Sequence, residues 1–344
     1  MIDRMGDSAM NFATIGTGWI VDTFVESAAA AVPKLTYAAA YSRNKETGTQ
    51  FARKHGVKKV YTELSELAKD PEIDAVYIAS PNTFHYEQAA CMLRHGKHVL
   101  CEKTSVVTSR QLERLYEIAE ASNCIFLEAI KGIYTPELAQ IKRELPRLGE
   151  IHLALLDYSK YSSKYDSYAA GQVPNIFNPA MAAGGLMDMG IYAVYPAVYL
   201  FGVPDKICAV ASFLRTGADV AGAQLFQYPD KTVVLSYSKS AQSGHDAVIM
   251  GSRGTLHIDS LESIHKAWIQ WQTGEIEILA ERPPERPPMG YEAECLYEFA
   301  SKRLTEEKRC RYQQLQELTK SVIGIMERIR ESAGIHFPDA CFKV

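Results

Sequence analysis

A phenol, a carboxylate and an ammonium in this chain have the types and spacing for proton chemistry on a hydroxyl group. Asp188 and Tyr192 lie four residues apart in Gly184-Gly185-Leu186-Met187-Asp188-Met189-Gly190-Ile191-Tyr192, so on a helix they share a face. The segment is otherwise apolar, and a carboxylate on a buried face needs a partner. Lys103, which with Glu102 closes an apolar run, is a chemically sensible one. Spacing alone is equally compatible with a structural ion pair beside a core tyrosine.

A second group of residues has the pattern of a dinucleotide site. Gly16-Thr17-Gly18 lies between a strand and a helix, where glycines permit a tight turn and close approach of backbone amides to a pyrophosphate. Gly16, Thr17, Gly18, Trp19 and Ile20 are the candidate contacts, although Val21 occupies the third position of the G-x-G-x-x-G/A fingerprint. The alternative is a simple strand-to-helix turn. After the second strand comes Ser42-Arg43-Asn44-Lys45 rather than an acidic residue. Arg43 could fork a 2′-phosphate and Ser42 could donate to it, which favours NADP over NAD; a solvated basic turn is the alternative. Ser80-Pro81-Asn82-Thr83-Phe84-His85 follows a third strand, at the edge where open α/β sheets bind ligands. Ser80, Pro81, Asn82 and His85 are therefore candidate cofactor contacts, with a plain helix cap as the alternative reading. Glu102 and Lys103 fall at the same edge.

These residues need a scaffold that brings strand ends together. Phe12 to Ile15, Thr36 to Tyr41, Asp74 to Ala79, His98 to Cys101 and Ile125 to Glu128 are apolar strand candidates. Helical stretches at Glu46 to His55, Tyr86 to His95 and Ser109 to Ala121 alternate with them, two ending at Gly56 and Gly96. The alternation predicts βαβ units and a parallel sheet over 10–135. Beyond about residue 150, Ile151 to Tyr158, Lys206 to Phe213, Ala221 to Tyr228, Thr232 to Lys239, Ala247 to Met250 and Ala267 to Trp271 read as strands of a mostly antiparallel sheet. Tyr228-Pro229-Asp230-Lys231 is a hairpin turn. One helix is expected from near Gly185 to about Leu200, an extended linker at Arg282 to Pro288, and closing helices at Glu292 to Leu304 and Gln313 to Ser332. The class is α/β, with a second α+β domain over 136–344.

Composition narrows the function. The 344 residues suggest about two domains, and a net charge of -4 offers no footprint for nucleic acid. No apolar run approaches the roughly 20 residues of a membrane span, and no signal peptide is visible. Seven cysteines without a C-x-x-C pair point to a reducing, cytoplasmic location, and no metal is expected.

Taken in order, Gly16-Thr17-Gly18, Ser80-Pro81-Asn82 with His85, Glu102-Lys103, Glu128-Ala129 and Gly184-Gly185 through Tyr192 make the chain resemble the glucose–fructose oxidoreductase, inositol dehydrogenase and rhizopine catabolism family (Gfo/Idh/MocA). The resemblance runs from about Asn11 to Asp339. It implies a Rossmann domain and a second domain whose large open sheet makes homodimers or homotetramers. It implies an NAD(P)-dependent oxidoreductase acting on a CH–OH group, with a sugar, polyol or dihydrodiol as substrate. Lys103 matches the family's E-K-P lysine. Asp188 and Tyr192 match its D-x-G-x-H motif with tyrosine for histidine, as in the glucose–fructose oxidoreductase and dimeric dihydrodiol dehydrogenase branch, where the tyrosine is the acid/base. Thr104 stands in place of the motif's proline, and Ile133 where many members carry arginine.

The implied mechanism puts a substrate hydroxyl between Tyr192 and Lys103, with Asp188 orienting the lysine or the substrate. The ammonium is expected to pull the Tyr192 pKa down from its ordinary ~10. Tyr158, Tyr161, Tyr165 and Tyr168, with Lys160 and Lys164, could stack on a sugar face or pack against the cofactor domain. The competing function is a dinucleotide-binding regulator or sensor without turnover.

Overall fold

The computed structural model describes residues 9–281, 287–300 and 305–344. Six strands form the first sheet: β1 (Met10–Ile15), β2 (Leu35–Tyr41), β3 (Lys59–Tyr61), β4 (Ala75–Ile78), β5 (His98–Glu102) and β6 (Phe126–Ala129). They are all parallel and run in the order β3-β2-β1-β4-β5-β6. All four residues of β4 are buried, because helices cover both faces of the sheet and leave no polar side to alternate with. The chain reverses its direction of winding between β1 and β4. A crevice therefore opens beyond their carboxyl ends, which is the Rossmann arrangement. The short strand β3 has no sequence signal, since three half-buried residues show no period.

Eight strands form the second sheet: β7 (Ile151–Ser159), β8 (Lys206–Phe213), β9 (Asp219–Gln227), β10 (Thr232–Ser238), β11 (Ala247–Gly251), β12 (Gly254–Ile258), β13 (Lys266–Trp271) and β14 (Ile276–Glu281). Their order is β14-β13-β12-β11-β7-β10-β9-β8, antiparallel throughout except for β7 beside β10. The expected hairpin joins β9 to β10, with the Tyr228 amide donating to the Lys231 carbonyl at 2.9 Å. Strands β12 and β14 were not foreseen. One is five residues long, and the other is an edge strand whose Ile276 and Ile278 alternate with Glu277 and are exposed.

One face of this sheet is covered. Ala154, Leu156, Phe226, Val233, Leu235, Ile249, Leu256 and Ile269 are buried; the helix Ile191–Phe201 packs on β7 and β10, Glu306–Ala333 on β8, the turn Leu145–Leu148 on β12 and the helix Pro136–Glu144 on β14. The other face is open: Leu155, Val210, Leu225, Ile276 and Ile278 are exposed. The C-terminal helices also reach back to the first sheet. Gly290–Ala300 packs on Trp19–Ala31, and Glu306–Ala333 packs on Ser109–Ala121. Most of the expected linker, 282–286, and the end of the expected helix at Leu304 lie outside the described residues. Among the described residues no helix is long and apolar enough to cross a membrane.

Candidate active site

The glycine turn sits at the crevice. Gly16 has φ +117°, and a Cβ there would lie 2.7 Å from the Ala79 carbonyl oxygen, so only glycine lets β1 and β4 end this close. Gly18 precedes the helix Trp19–Ala31, and a Cβ on it would meet nothing within 4 Å. A tight turn followed by open space at a helix N-terminus fits a dinucleotide pyrophosphate. Trp19 is 74% exposed and, with Ile20, borders the cleft beside the turn. Ser42 accepts from the Asn44 amide (3.3 Å) in its own turn. The Arg43 guanidinium crosses to lie 5.3 Å over the Phe84 ring.

Several sequence candidates are held by protein groups. The Ser80 hydroxyl donates to Gln88 (2.6 Å), and the Asn82 amide donates to the Ala182 carbonyl (3.0 Å), tying the two sheets' loops together. His85 is buried, its ring nitrogens facing the carbonyls of Thr104 (3.0 Å) and Ser80 (2.7 Å). Glu102 accepts from the Tyr77 hydroxyl. These residues brace the crevice, and Ser80, Asn82, His85 and Glu102 still contribute to its wall. Pro81 leads into the short turn Asn82–Phe84.

Lys103, Asp188 and Tyr192 meet in this cleft, which has a volume of about 910 Å³, in the range of small-molecule sites. The Lys103 ammonium donates to Asp188 Oδ1 at 2.6 Å and to the Asp188 carbonyl at 3.0 Å. Thr104, replacing proline, anchors the turn that aims Lys103: its hydroxyl donates to the Met187 carbonyl at 2.8 Å. The next amide, Ser105, donates to Glu128 at 2.6 Å, and Glu128 also accepts from the Tyr195 hydroxyl. The Lys103–Thr104 peptide is cis.

The expected single helix is two pieces. Leu186–Gly190 is a wide π turn, and the α-helix Ile191–Phe201 follows it. Tight packing shapes the turn: a Cβ on Gly184 would strike the Asp219 carboxylate at 2.0 Å, and one on Gly185 the Tyr237 ring at 2.6 Å. Asp219 receives the Leu186 amide (2.6 Å) and the Tyr237 hydroxyl (2.7 Å). Asp188 and Tyr192 both still face the cleft.

The electrostatics depart from expectation in one respect. Burial acts to raise the Asp188 pKa, but the two ammoniums beside it outweigh burial and hold the carboxyl well below the usual carboxylate range. For Lys103, burial opposes the charge while Asp188 and Glu102 favour it, and the net direction is upward. Tyr192 shifts up, not down: burial dominates, and Glu262, Glu102, Tyr158 and Asp188 add to it. Lys103 sits over the ring face, 4.9 Å from its centre. Tyr192 is therefore a neutral phenol whose hydroxyl has no hydrogen-bond partner among the described residues.

Three cleft residues escaped the sequence reading. Lys239 is 2% exposed and pairs with Asp188 Oδ2. It continues the inward phase Val233, Leu235, Tyr237 of β10, and a lysine in that phase is the signal that was missed. Lys131 and Glu262 pair at 2.8 Å, and Glu262 also accepts from Tyr158, whose ring lies 4.9 Å from that of Tyr192. Lys131 supplies a cation near the position where Ile133 replaces arginine. Of the aromatic stretch, Tyr158 and Tyr161 reach the cleft with Lys160 and Lys164. Tyr165 and Tyr168 pack on Phe177 instead. Among the described residues no cluster of His, Cys, Asp or Glu is placed to hold a metal.

Comparison with known proteins gives concordant matches along the chain. A family model described as "Oxidoreductase family, NAD-binding Rossmann fold" matches residues 10–129, and one described as "GFO/IDH/MocA C-terminal domain" matches 145–257. The chain is 37% identical over 329 residues to scyllo-inositol 2-dehydrogenase (NADP(+)) IolU of Bacillus subtilis, covering 96% of this chain and 98% of that protein. It is 26% identical over 351 residues to trans-1,2-dihydrobenzene-1,2-diol dehydrogenase of Mus musculus, covering 96% and 98%. A 3-ketoreductase from Actinomadura kijaniata, solved with NADP and TDP-benzene, has the same fold, with a TM-score of 0.81 at 20% identity over 95% of this chain and 98% of that one.

Proposed function

Because the chain belongs to the Gfo/Idh/MocA family of NAD(P)-dependent oxidoreductases, we propose that it interconverts a hydroxyl and a carbonyl on a polyol, sugar or dihydrodiol, with Tyr192 as acid/base. The observation that carries this reading is the Lys103–Asp188 pair set against the Tyr192 ring at the Rossmann crevice. The substrate class draws support from two relatives, named for scyllo-inositol and for a dihydrobenzene diol. Glu262 and Lys131 add an acceptor and a donor for further hydroxyls on the same wall.

A nicotinamide dinucleotide held at the crevice would supply or accept the hydride; the proton and the developing charge fall to the chain's own residues. In the reductive direction the substrate oxygen receives the Tyr192 proton, and the Lys103 ammonium stabilises the negative charge that develops there. Asp188 fixes the lysine's direction through two of its oxygens, one of the carboxylate and one of the backbone. Oxidation is the reverse, with Tyr192 accepting the proton. The turn Gly16–Thr17–Gly18 would hold the pyrophosphate. Arg43, with Ser42, would hold the 2′-phosphate of NADP, and the Bacillus subtilis relative is an NADP(+) enzyme by name.

The open face of the second sheet supports a homo-oligomer. Cys208, Leu225, Val234, Leu155 and Val248 stand in register as a largely apolar row across β8, β9, β10, β7 and β11. Leu225→Glu should convert the oligomer to monomer in sedimentation velocity, and a monomeric unmodified protein removes this claim. The seven free cysteines, two of them exposed, favour a reducing cytoplasmic location. The substrate reading is tested by offering scyllo-inositol, other polyols, sugars and trans-dihydrodiols with NADP⁺ and following NADPH formation. Stoichiometric NADPH binding without turnover of any of them would favour a regulator or sensor instead.

A further inference from the structure

Asp188 is shared by two lysines. Lys103 already satisfies Oδ1 and the backbone carbonyl, yet a second ammonium, Lys239, occupies Oδ2. A structural ion pair needs one cation per carboxylate, and a further buried cation is costly. Lys239 has no freedom to leave. Its amide donates to Val220 (2.8 Å), its carbonyl receives the Ser162 amide (2.9 Å), and the inward phase of β10 directs its side chain under the sheet. The Phe177 ring lies 5.8 Å from its ammonium. Burial lowers its pKa against the pull of Asp188.

We propose that Lys239 is a positioning residue of the hydride-transfer centre: by holding Asp188 from Oδ2 it orients the carboxylate toward Lys103 and leaves the three groups with one net positive charge beside the reacting oxygen. This rests on the oxidoreductase reading given above. The charged and titratable groups facing Lys103 are Asp188, Glu102, Glu262, Glu128, His85 and Lys239, and the Tyr192 ring covers one side. Glu262 is already matched by Lys131, and burial pushes the Glu102 and Glu128 carboxyls up from the usual carboxylate range, so Lys239 supplies positive charge that Asp188 alone does not cancel.

Excess positive charge should discriminate the redox states of the cofactor, because the oxidised nicotinamide is cationic and the reduced one is neutral. The full-length wild type, Lys239→Met and Lys239→Arg are titrated with NADP⁺ and with NADPH by calorimetry. In Lys239→Met the ratio of NADP⁺ to NADPH dissociation constants should fall about fivefold or more, with Lys239→Arg keeping the wild-type ratio. With NADP⁺ and scyllo-inositol as probe, Lys239→Met should lower kcat about 10- to 100-fold at little change in KM, and Lys239→Arg should restore most of it. A Lys239→Met ratio within about twofold of wild type overturns the inference, whatever the turnover. If the wild type oxidises no probe, the substrate reading fails, while the ratio still decides the role of Lys239.

Discussion

The Lys103 ammonium lies over the face of the Tyr192 ring, 4.9 Å from its centre, and points its hydrogen bonds at Asp188 rather than at the phenol. The contact is a cation–π one, and it does not ionise the tyrosine. Burial and four anionic or phenolic neighbours keep the proton on.

The pH dependence follows from that direction. A phenol raised above its ordinary value of 10.0 keeps its proton throughout the neutral range and is ready to donate it to a carbonyl. Asp188, held low, stays ionised across the same range. The expected kcat for carbonyl reduction is flat across the neutral range. An alkaline fall near neutrality, traced to Tyr192 by its absence in Tyr192→Phe, would contradict this placement.

Lys103→Ala should reduce turnover far more than cofactor affinity, by about 10²- to 10³-fold in kcat, as expected for a charge that stabilises a developing alkoxide. Steady-state rates set beside NADPH titrations decide it. Weakened NADPH binding with unchanged kcat would make Lys103 a cofactor ligand only.

The two glycines of the turn should respond differently. Gly16→Ala meets the Ala79 carbonyl at a φ of +117°, so its melting temperature should drop, with a cost of about 1–3 kcal/mol. Gly18→Ala meets nothing in the protein and should keep the wild-type melting temperature while weakening NADPH binding. Unchanged NADPH affinity in Gly18→Ala would reduce the turn to a simple strand-to-helix connection.

Local pattern made some of this legible in the sequence, and long-range contact supplied the rest. The strands were readable, with ends at Ile15, Ala79 and Cys101 that fall within a residue of the observed Ile15, Ile78 and Glu102, because parallel strands buried on both faces are continuous apolar runs. The Asp188–Tyr192 spacing was readable too, although a π turn rather than plain α-helix carries its first half. The Lys131–Glu262 pair spans 131 positions and leaves no local trace. Thr104 looked like a lost constraint because proline was missing; its hydroxyl bond to Met187, 83 positions away, emerges only on folding. The sign of the Tyr192 shift was misjudged for the same reason. The ammonium and the buried face were both visible in sequence, but the dominance of burial over a single ammonium and the nearness of Glu262 were not.

The proposed role of Arg43 in cofactor choice is open to a direct test. Arg43→Ala should raise the NADPH dissociation constant about tenfold or more, the size of a lost charge-assisted contact, and leave NADH within about twofold. Parallel NADPH and NADH titrations measure this. Tighter NADH than NADPH binding by the unmodified protein would remove the preference for NADP.

The most direct measurement is single-turnover oxidation of scyllo-inositol, or of whichever screened polyol or diol proves active, by NADP⁺ in wild type and Tyr192→Phe, with NADPH affinity measured alongside. The expected result is a loss of about 10²- to 10⁴-fold in the rate of NADPH formation at unchanged NADPH affinity. A Tyr192→Phe rate close to wild type would contradict the assignment of Tyr192 as the acid/base.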